Sequence, residues 1–231
     1  MRTRVSEVTG DFPGDARVYL VHVGNFAPSH AEETVLSVGE RRRADTFELA
    51  FVRKRFVWRR IILRTLIAAR LGCRPHEVDL QSTPAGRPFV AGSDLDVSVS
   101  HSRDVALIAM IGGRKRIGVD VEALAPMPDQ EQVAEIVLTP QELTEFRRFD
   151  VSCDVFYRIW TCKEACLKAI GTGFRLDPRA VEIRLADLAA PMVQRIPGSV
   201  RYTLTCFEPI TGYIAALAVQ LGEEHSEEIA R

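Results

Sequence analysis

Charge of one sign is what this chain of 231 residues most lacks: 30 Lys and Arg stand against 31 Asp and Glu, a formal net charge of −1 at pH 7. No whole-protein attraction to nucleic acid or to a membrane surface is therefore expected. Any run of about 18 apolar residues is also missing, so no segment is expected to span a membrane. The first twenty residues hold Arg2, Arg4, Glu7, Asp11, Asp15 and Arg17 and leave no room for an apolar signal-peptide core. Cysteine is sparse and unpaired in pattern. Cys73, Cys153, Cys162, Cys166 and Cys206 are odd in number and include no CxxC, and Cys162 and Cys166 suit packing on a helix better than zinc ligation. Reduced thiols in a cytoplasmic protein are the expectation. No internal repeat is convincing, although Trp58 and Trp160 each fall in a long helical stretch, one per half.

What is present is an ordinary globular composition, 46% hydrophobic and 26% charged, with length for one large domain or two small ones. The balanced charge is unevenly spread. Between Arg41 and Arg70 lie Arg41, Arg42, Arg43, Arg53, Lys54, Arg55, Arg59, Arg60, Arg64 and Arg70, against Asp45 and Glu48. That segment reads as a local anion site or, slightly favoured, a solvated helix face.

Residues 1–16 read as loose and 18–23 as a short strand. Helical character follows over 29–47, then a long helix over 51–71 packs Phe56, Ile61, Ile62, Leu63, Leu66 and Ile67 inward and stops at Gly72. A strand entry is expected at 76–80. Residues 95–122 read as an antiparallel meander: 96–100 alternates Val97 and Val99 against Ser98 and Ser100, His101 to Asp104 turns the chain, 105–111 returns, and 117–122 follows Gly112-Gly113. A helix over 130–137 precedes one opened by Thr139 as cap, with Glu142 as the capping-box acid. The next helix starts near Val155 with Asp154 as cap, carries Ile159, Cys162, Cys166, Leu167 and Ile170 as its core stripe, and ends at Gly171. Strands are expected at 181–185, 201–207 and 213–219, then an acidic tail over 222–231.

Three features carry chemistry. Asp120 and Glu122, two apart on a strand, project from one face and give two hard oxygen ligands suited to magnesium. Ser100 and His101 at a strand end, with Arg87 in the loop 84–88, offer hydroxyl, imidazole and guanidinium donors to phosphate oxygens. On the helix, Glu164 and Lys168 share a face, with Lys163 about 100° round from Glu164. Glu164 could complete a three-carboxylate metal site, and Lys163 and Lys168 could offset phosphate charge.

In order, Gly86-Arg-Pro88, Val97-Ser-Val-Ser-His-Ser102, Ile117-Gly-Val-Asp-Val-Glu122 and Trp160-x-x-Lys-Glu-Ala-x-x-Lys168, running on to Gly171-Thr-Gly-Phe174, resemble the 4′-phosphopantetheinyl transferases. The chain's length points to the monomeric, surfactin-type branch, and the likeness covers roughly residues 18–220. The resemblance implies an α+β fold, a pseudo-twofold arrangement of two similar subdomains, each a small antiparallel sheet packed on a long helix. It divides the chain into 1–114, on the side of the coenzyme A 3′-phosphate and adenine, and 115–231, with the metal and catalytic residues, the active site lying between them. It further implies Mg2+ (with Mn2+ as the alternative) held by Asp120, Glu122 and Glu164, and coenzyme A as co-substrate. The pantetheine arm passes to a serine of an apo acyl or peptidyl carrier protein, a transient partner, leaving adenosine 3′,5′-bisphosphate. Glu164 or a metal-bound water takes the serine proton and Lys168 serves the leaving group, so that Asp120, Glu122, Glu164 and Lys168 are the catalytic set. Arg55, then Arg43 or Arg41, are expected at the 3′-phosphate, with Arg87, Ser100, His101, Lys163 and Lys168 completing the coenzyme A contacts. Glu142 sits where the family often has an acid, but its cap explains it equally well. A magnesium-dependent phosphohydrolase and a non-catalytic binding module are the competing readings. As an exposed strand carboxylate, Asp120 is expected to be removable without loss of fold.

Overall fold

The structure is a computed structural model that describes residues 5–24, 28–149, 152–172, 176–185, 191–198 and 200–221. The chain begins with β1 (Val5–Glu7) and β2 (Arg17–His22), which pair antiparallel with Val5 opposite Val21. Part of the segment expected to be loose is thus an edge strand. Two short helices follow, α1 (His30–Glu33) and α2 (Val38–Asp45), where one helical stretch was expected. The break has a local cause: Ser29 and Ser37 each close a capping box, with Glu32 and Glu40, and so start two separate helices. Helix α3 (Ala50–Leu71) ends as expected, Gly72 taking a left-handed φ of 69°. A 3-10 turn (Pro75–Glu77) leads into a small hairpin of β3 (Leu80–Ser82) and β4 (Pro88–Val90).

Next come β5 (Asp96–Ser102), β6 (Val105–Ile111) and β7 (Ile117–Ala123). The expected meander stops after the β5–β6 hairpin. Both edges of β6 are taken, in a sheet ordered β1-β2-β6-β5, so β7 has no place beside it. Helices α4 (Gln130–Val137), α5 (Pro140–Arg148) and α6 (Cys153–Ile170) follow. Strands β8 (Glu182–Arg184) and β9 (Met192–Arg195) form a hairpin, and β10 (Tyr202–Phe207) and β11 (Tyr213–Gln220) complete a second sheet ordered β10-β11-β7. Thr139 and Glu142 make their capping box at α5. Asp154 does not cap α6: Ser152 holds that position, and Asp154 in the first turn accepts from Arg158 at 2.8 Å. Phe174 and the acidic 222–231 lie outside the described residues.

The period-2 geometry of strands distributes the core. On β6, Ala106, Ile108 and Met110 join the α3 side chains Val57, Ile61 and Ile67 in one cluster, while Val105, Leu107, Ala109 and Ile111 face the other way. There they meet Ile117, Val119 and Val121 of β7 and Ala215, Leu217 and Val219 of β11 in a core shared by the two sheets. This explains why β6 is apolar at every position: both of its faces are covered. The opposite face of the second sheet, with Ile214, Ala216 and Ala218, packs on α6. Since Ile117, Val119 and Val121 point to the inter-sheet core, parity turns Gly118, Asp120 and Glu122 of β7 toward α6.

Candidate active site

The site lies where β5 runs beside β7. Amide N–H groups of β7 along this edge are met by side chains of β5: Ile117 donates to Asp96 at 2.8 Å, Val119 to Ser98 Oγ at 3.0 Å and Ala123 to Ser102 Oγ at 3.1 Å, with a constant offset of 21 residues. A constant offset means the two strands run parallel, joined through hydroxyls and a carboxylate. Arg87 closes one end of the seam, ion-paired with Asp96 and donating to the Ile117 carbonyl at 2.8 Å. Ser100 departs from the series. Its hydroxyl donates to Asp120 Oδ1 at 2.7 Å and accepts from Lys168 Nζ at 2.9 Å, and Lys168 also reaches Asp120 Oδ1 at 2.6 Å. One step along, Ser102 donates to Glu122 Oε2 at 2.8 Å.

Glu164 enters from α6, one turn before Lys168. Burial first, then the charges of Asp120 and Glu122, push its carboxyl up to about 7, with Lys168 opposing. Burial likewise raises Glu122. Asp120 Oδ2 and Glu164 Oε1 are buried and have no hydrogen-bond partner, and such orphaned carboxylate oxygens are what a cation satisfies. Among the described residues no three His, Cys, Asp or Glu side chains stand close enough to enclose a metal ion as they lie. Magnesium asks for less, since it keeps several waters and commonly takes one or two carboxylates together with substrate phosphate. The donor set therefore fits such an ion. Beside it, a cavity of about 180 Å³ is lined by Arg87, Pro88, Ser98, Glu164, Lys168 and Gly171. Arg87 Nε is buried there without a partner.

His101 sits at the open end, its ring partly exposed. Desolvation, then the cations Arg59, Lys168 and Arg55, hold it down at about 4, so it is a neutral imidazole at pH 7. Arg55 on α3 is ion-paired with Asp104 of the β5–β6 turn. The rest of the basic segment is a solvated face only in part: Arg41, Arg42, Arg43, Lys54 and Arg70 are exposed, and the others turn inward. Arg53 bonds Glu33, Arg60 and Arg64 share Glu40, and Arg64, 2% exposed, also donates to the Pro75 and Val78 carbonyls.

Three expectations change. Lys163 does not face a ligand: fully buried, its ammonium contacts both Glu142 oxygens at 2.6 and 2.7 Å and the Val181 carbonyl at 2.5 Å. The 100° between neighbouring helix positions puts Glu164 at the site and Lys163 in the core. Glu142 is accordingly structural, accepting also from Thr139 and Ile183 amides. Asp120 is 4% exposed, not a surface carboxylate, so its removal disturbs Ser100 and Lys168 and is not free of cost to the fold. Arg43 stands on α2 over the Phe47 ring, 5.3 Å from its centroid, and among the described residues no contact joins it to the cluster. Sequence reasoning overlooked Ser102 as a support of Glu122.

The raised Glu164 carboxyl fixes a sign for stability. A carboxyl that holds its proton to higher pH in the folded state stabilises at low pH and loses that contribution as pH climbs from about 4.5 through 7. The cation-free protein is thus expected to lose stability over that range, by about 3 kcal/mol at most. Urea titrations at a series of pH values check this: Glu164→Gln should flatten the slope, and an unchanged slope would refute the assignment.

Buried acids with two unpartnered oxygens thus stand beside the cations Lys168 and Arg87 and a small cavity, an arrangement that suits a phosphate ligand. Comparison with known proteins narrows the class. Residues 116–218 match the family model described as the 4′-phosphopantetheinyl transferase superfamily. The chain is 34% identical over 191 residues to the 4′-phosphopantetheinyl transferase HetI of Nostoc sp., covering 80% of this chain and 78% of that protein. It is 31% identical over 169 residues, 66% of each chain, to the L-aminoadipate-semialdehyde dehydrogenase-phosphopantetheinyl transferase of Schizosaccharomyces pombe. A crystal structure of Thermotoga maritima holo-[acyl-carrier-protein] synthase aligns at 22% identity and a TM-score of 0.40, over 46% of this chain and 62% of that one. The chain belongs to the 4′-phosphopantetheinyl transferase superfamily.

Proposed function

We propose that this protein transfers the 4′-phosphopantetheine arm of coenzyme A to a serine of an apo acyl or peptidyl carrier protein, releasing adenosine 3′,5′-bisphosphate, as a cytoplasmic monomer of the surfactin-type branch. The observation that carries the reading is the Asp120–Ser100–Lys168 junction beside the unpartnered oxygens of Asp120 and Glu164. In this reading the chain forms two related subdomains, 1–114 and 115–231. In support, each main sheet packs on one long helix, α3 or α6, and each helix carries a single tryptophan. No helix among the described residues is long and apolar enough to cross a membrane.

Asp120, Glu122 and Glu164 would hold Mg2+ or Mn2+, which supplies charge neutralisation to the transferring phosphoryl group when bound. Lys168, anchored by Ser100, is placed to stabilise the oxygen of the departing bisphosphate. Glu164 takes the proton from the carrier serine. Ser102 holds Glu122 in position. Arg87 lines the cavity in which substrate phosphate would lie.

The test is to incubate the protein with coenzyme A, magnesium and an apo carrier protein and weigh the carrier. Transfer appears as added phosphopantetheine; cleaved coenzyme A with an unchanged carrier would point to a hydrolase, and no reaction to a binding module. Asp120→Asn, which keeps the side chain's shape, should reduce transfer by about 1000-fold or more, the scale at which a preorganised charge acts in a dry site.

A further inference from the structure

Two thiols meet between α6 and β10, on the face of the second sheet turned away from the inter-sheet core. Cys206 of β10 stands opposite Ala216 of β11, which is itself opposite Asp120 of β7. That row faces α6, and Cys206 packs into the same core cluster as Cys162 of the helix. Arg158 Nη1 reaches Cys206 Sγ at 3.8 Å. Cys162 follows Arg158 by four residues, so its thiol lies one turn along on the same helix face. A hydrogen bond with Cys162 first, and then Arg158, hold the Cys206 thiol below its ordinary range against the effect of burial. The other three cysteines are placed differently: Cys153 donates to Gln130 Oε1 at 2.7 Å, Cys73 packs on the α3 core, and Cys166 is fully buried. A thiol beside a guanidinium readily becomes the thiolate that attacks peroxides. Cys206 is partly exposed on the terminal strand of its sheet, whereas Cys162 is fully buried behind it.

We propose that Cys206 and Cys162 form a peroxide-responsive disulfide that ties α6 to β10 and lowers the activity of the site. The Cys206 thiolate attacks one oxygen of hydrogen peroxide and breaks the O–O bond. A sulfenic acid forms, and the other oxygen leaves as water with the proton the thiol gave up. The Cys162 sulfur then displaces the sulfenic hydroxyl, which departs as a second water with the Cys162 proton. Two thiols and one peroxide thus become one S–S bond and two waters, and no further reactant enters. A transient, sensing disulfide is the kind that a reducing compartment allows. Its effect on the site follows from the sheet order. The strands run β10-β11-β7, so a bond from α6 to β10 draws the helix toward the edge opposite β7, which holds Asp120 and Glu122. Glu164, two residues after Cys162, moves with the helix.

The test treats the reduced full chain with hydrogen peroxide, blocks the remaining thiols with iodoacetamide and maps linked peptides by mass spectrometry. A link between Cys162 and Cys206 that dithiothreitol removes is the expected result, and Arg158→Gln should slow its formation several-fold. Oxidised wild type should melt higher than reduced and transfer phosphopantetheine about fivefold more slowly or worse, with dithiothreitol restoring the rate. Cys206→Ala and Cys162→Ala should keep their own rates through the same treatment. Oxidation of Cys206 to the sulfinic acid without a link, or a link to Cys166 instead, would overturn the proposal. So would a linked protein that transfers at the reduced rate, or a loss of rate that persists in Cys206→Ala. Mapping the link needs no carrier protein. A chain that forms it but transfers to no carrier even when reduced would uphold the thiol pair and sink the transferase reading.

Discussion

Gly118→Ala is expected to separate β7 from α6, lowering stability by about 3 kcal/mol and melting temperature by roughly 10 °C. The cause is not backbone freedom, since the residue has an ordinary strand conformation. It is proximity. A methyl at 118 would be driven into the Ala165 carbonyl oxygen and would stand 2.5 Å from the Ala169 amide nitrogen. Those are main-chain atoms of a helix that is itself hydrogen-bonded, so neither can swing aside. The helix must lift off the strand or the strand must bend. Either movement separates Asp120 and Glu122 from Glu164 and Lys168, because Gly118, Asp120 and Glu122 share one face of β7 and Ala165, Glu164 and Lys168 one stretch of α6. Any folded fraction should therefore show a larger loss in transfer than its stability explains, since misplacement by about 1 Å can cost 100-fold in rate. Thermal melts and single-turnover transfer measure the two effects separately. A variant that melts like wild type and transfers at full rate would mean that the close approach does not position the site.

This contact shows what the sequence discloses and what it withholds. The alternation of 117–122 is visible in the residues, and it sends both acids to one side. The core stripe of α6, the left-handed stop at Gly171 and the cap at Thr139 are equally legible, because each depends on neighbours within a few positions. Which surface faces the acids is not local. That β7 leaves β6 and lies beside β5 follows from β2 having taken the other edge of β6, a pairing between residues nearly ninety positions apart. The seam of Asp96, Ser98 and Ser102 looks in sequence like the polar face of a half-exposed strand; only the parallel neighbour reveals it as a set of substitutes for backbone partners. Arg64 and Arg59 illustrate the same limit. Both appear as members of a basic run, yet one is locked in the core by Glu40 and two carbonyls and the other is left without an answering charge.

Lys163 offers the second large effect, and its direction separates structure from chemistry. Glu142→Ala is expected to cost about 4 kcal/mol or more and Lys163→Met somewhat less, both on the scale of breaking a buried pair. The order follows from the bonds each leaves behind. Without Glu142, the ammonium keeps only the Val181 carbonyl, the amides of Thr139 and Ile183 lose their acceptor, and α5 loses its capping box. Without Lys163, the carboxylate still receives both amides, and methionine fills most of the vacated volume. Urea unfolding of the two variants should reproduce this ranking. The functional half of the expectation is sharper. Because the Lys163 ammonium points into the core between α5, α6 and β8, the folded fraction of Lys163→Met should transfer phosphopantetheine at close to the wild-type rate, whereas Lys168→Met, five residues further along the same helix and on another face, should lose it. Should folded Lys163→Met fall with Lys168→Met, the ammonium must reach the substrate after all, and the helix would have to be turned by about 100° from the orientation described.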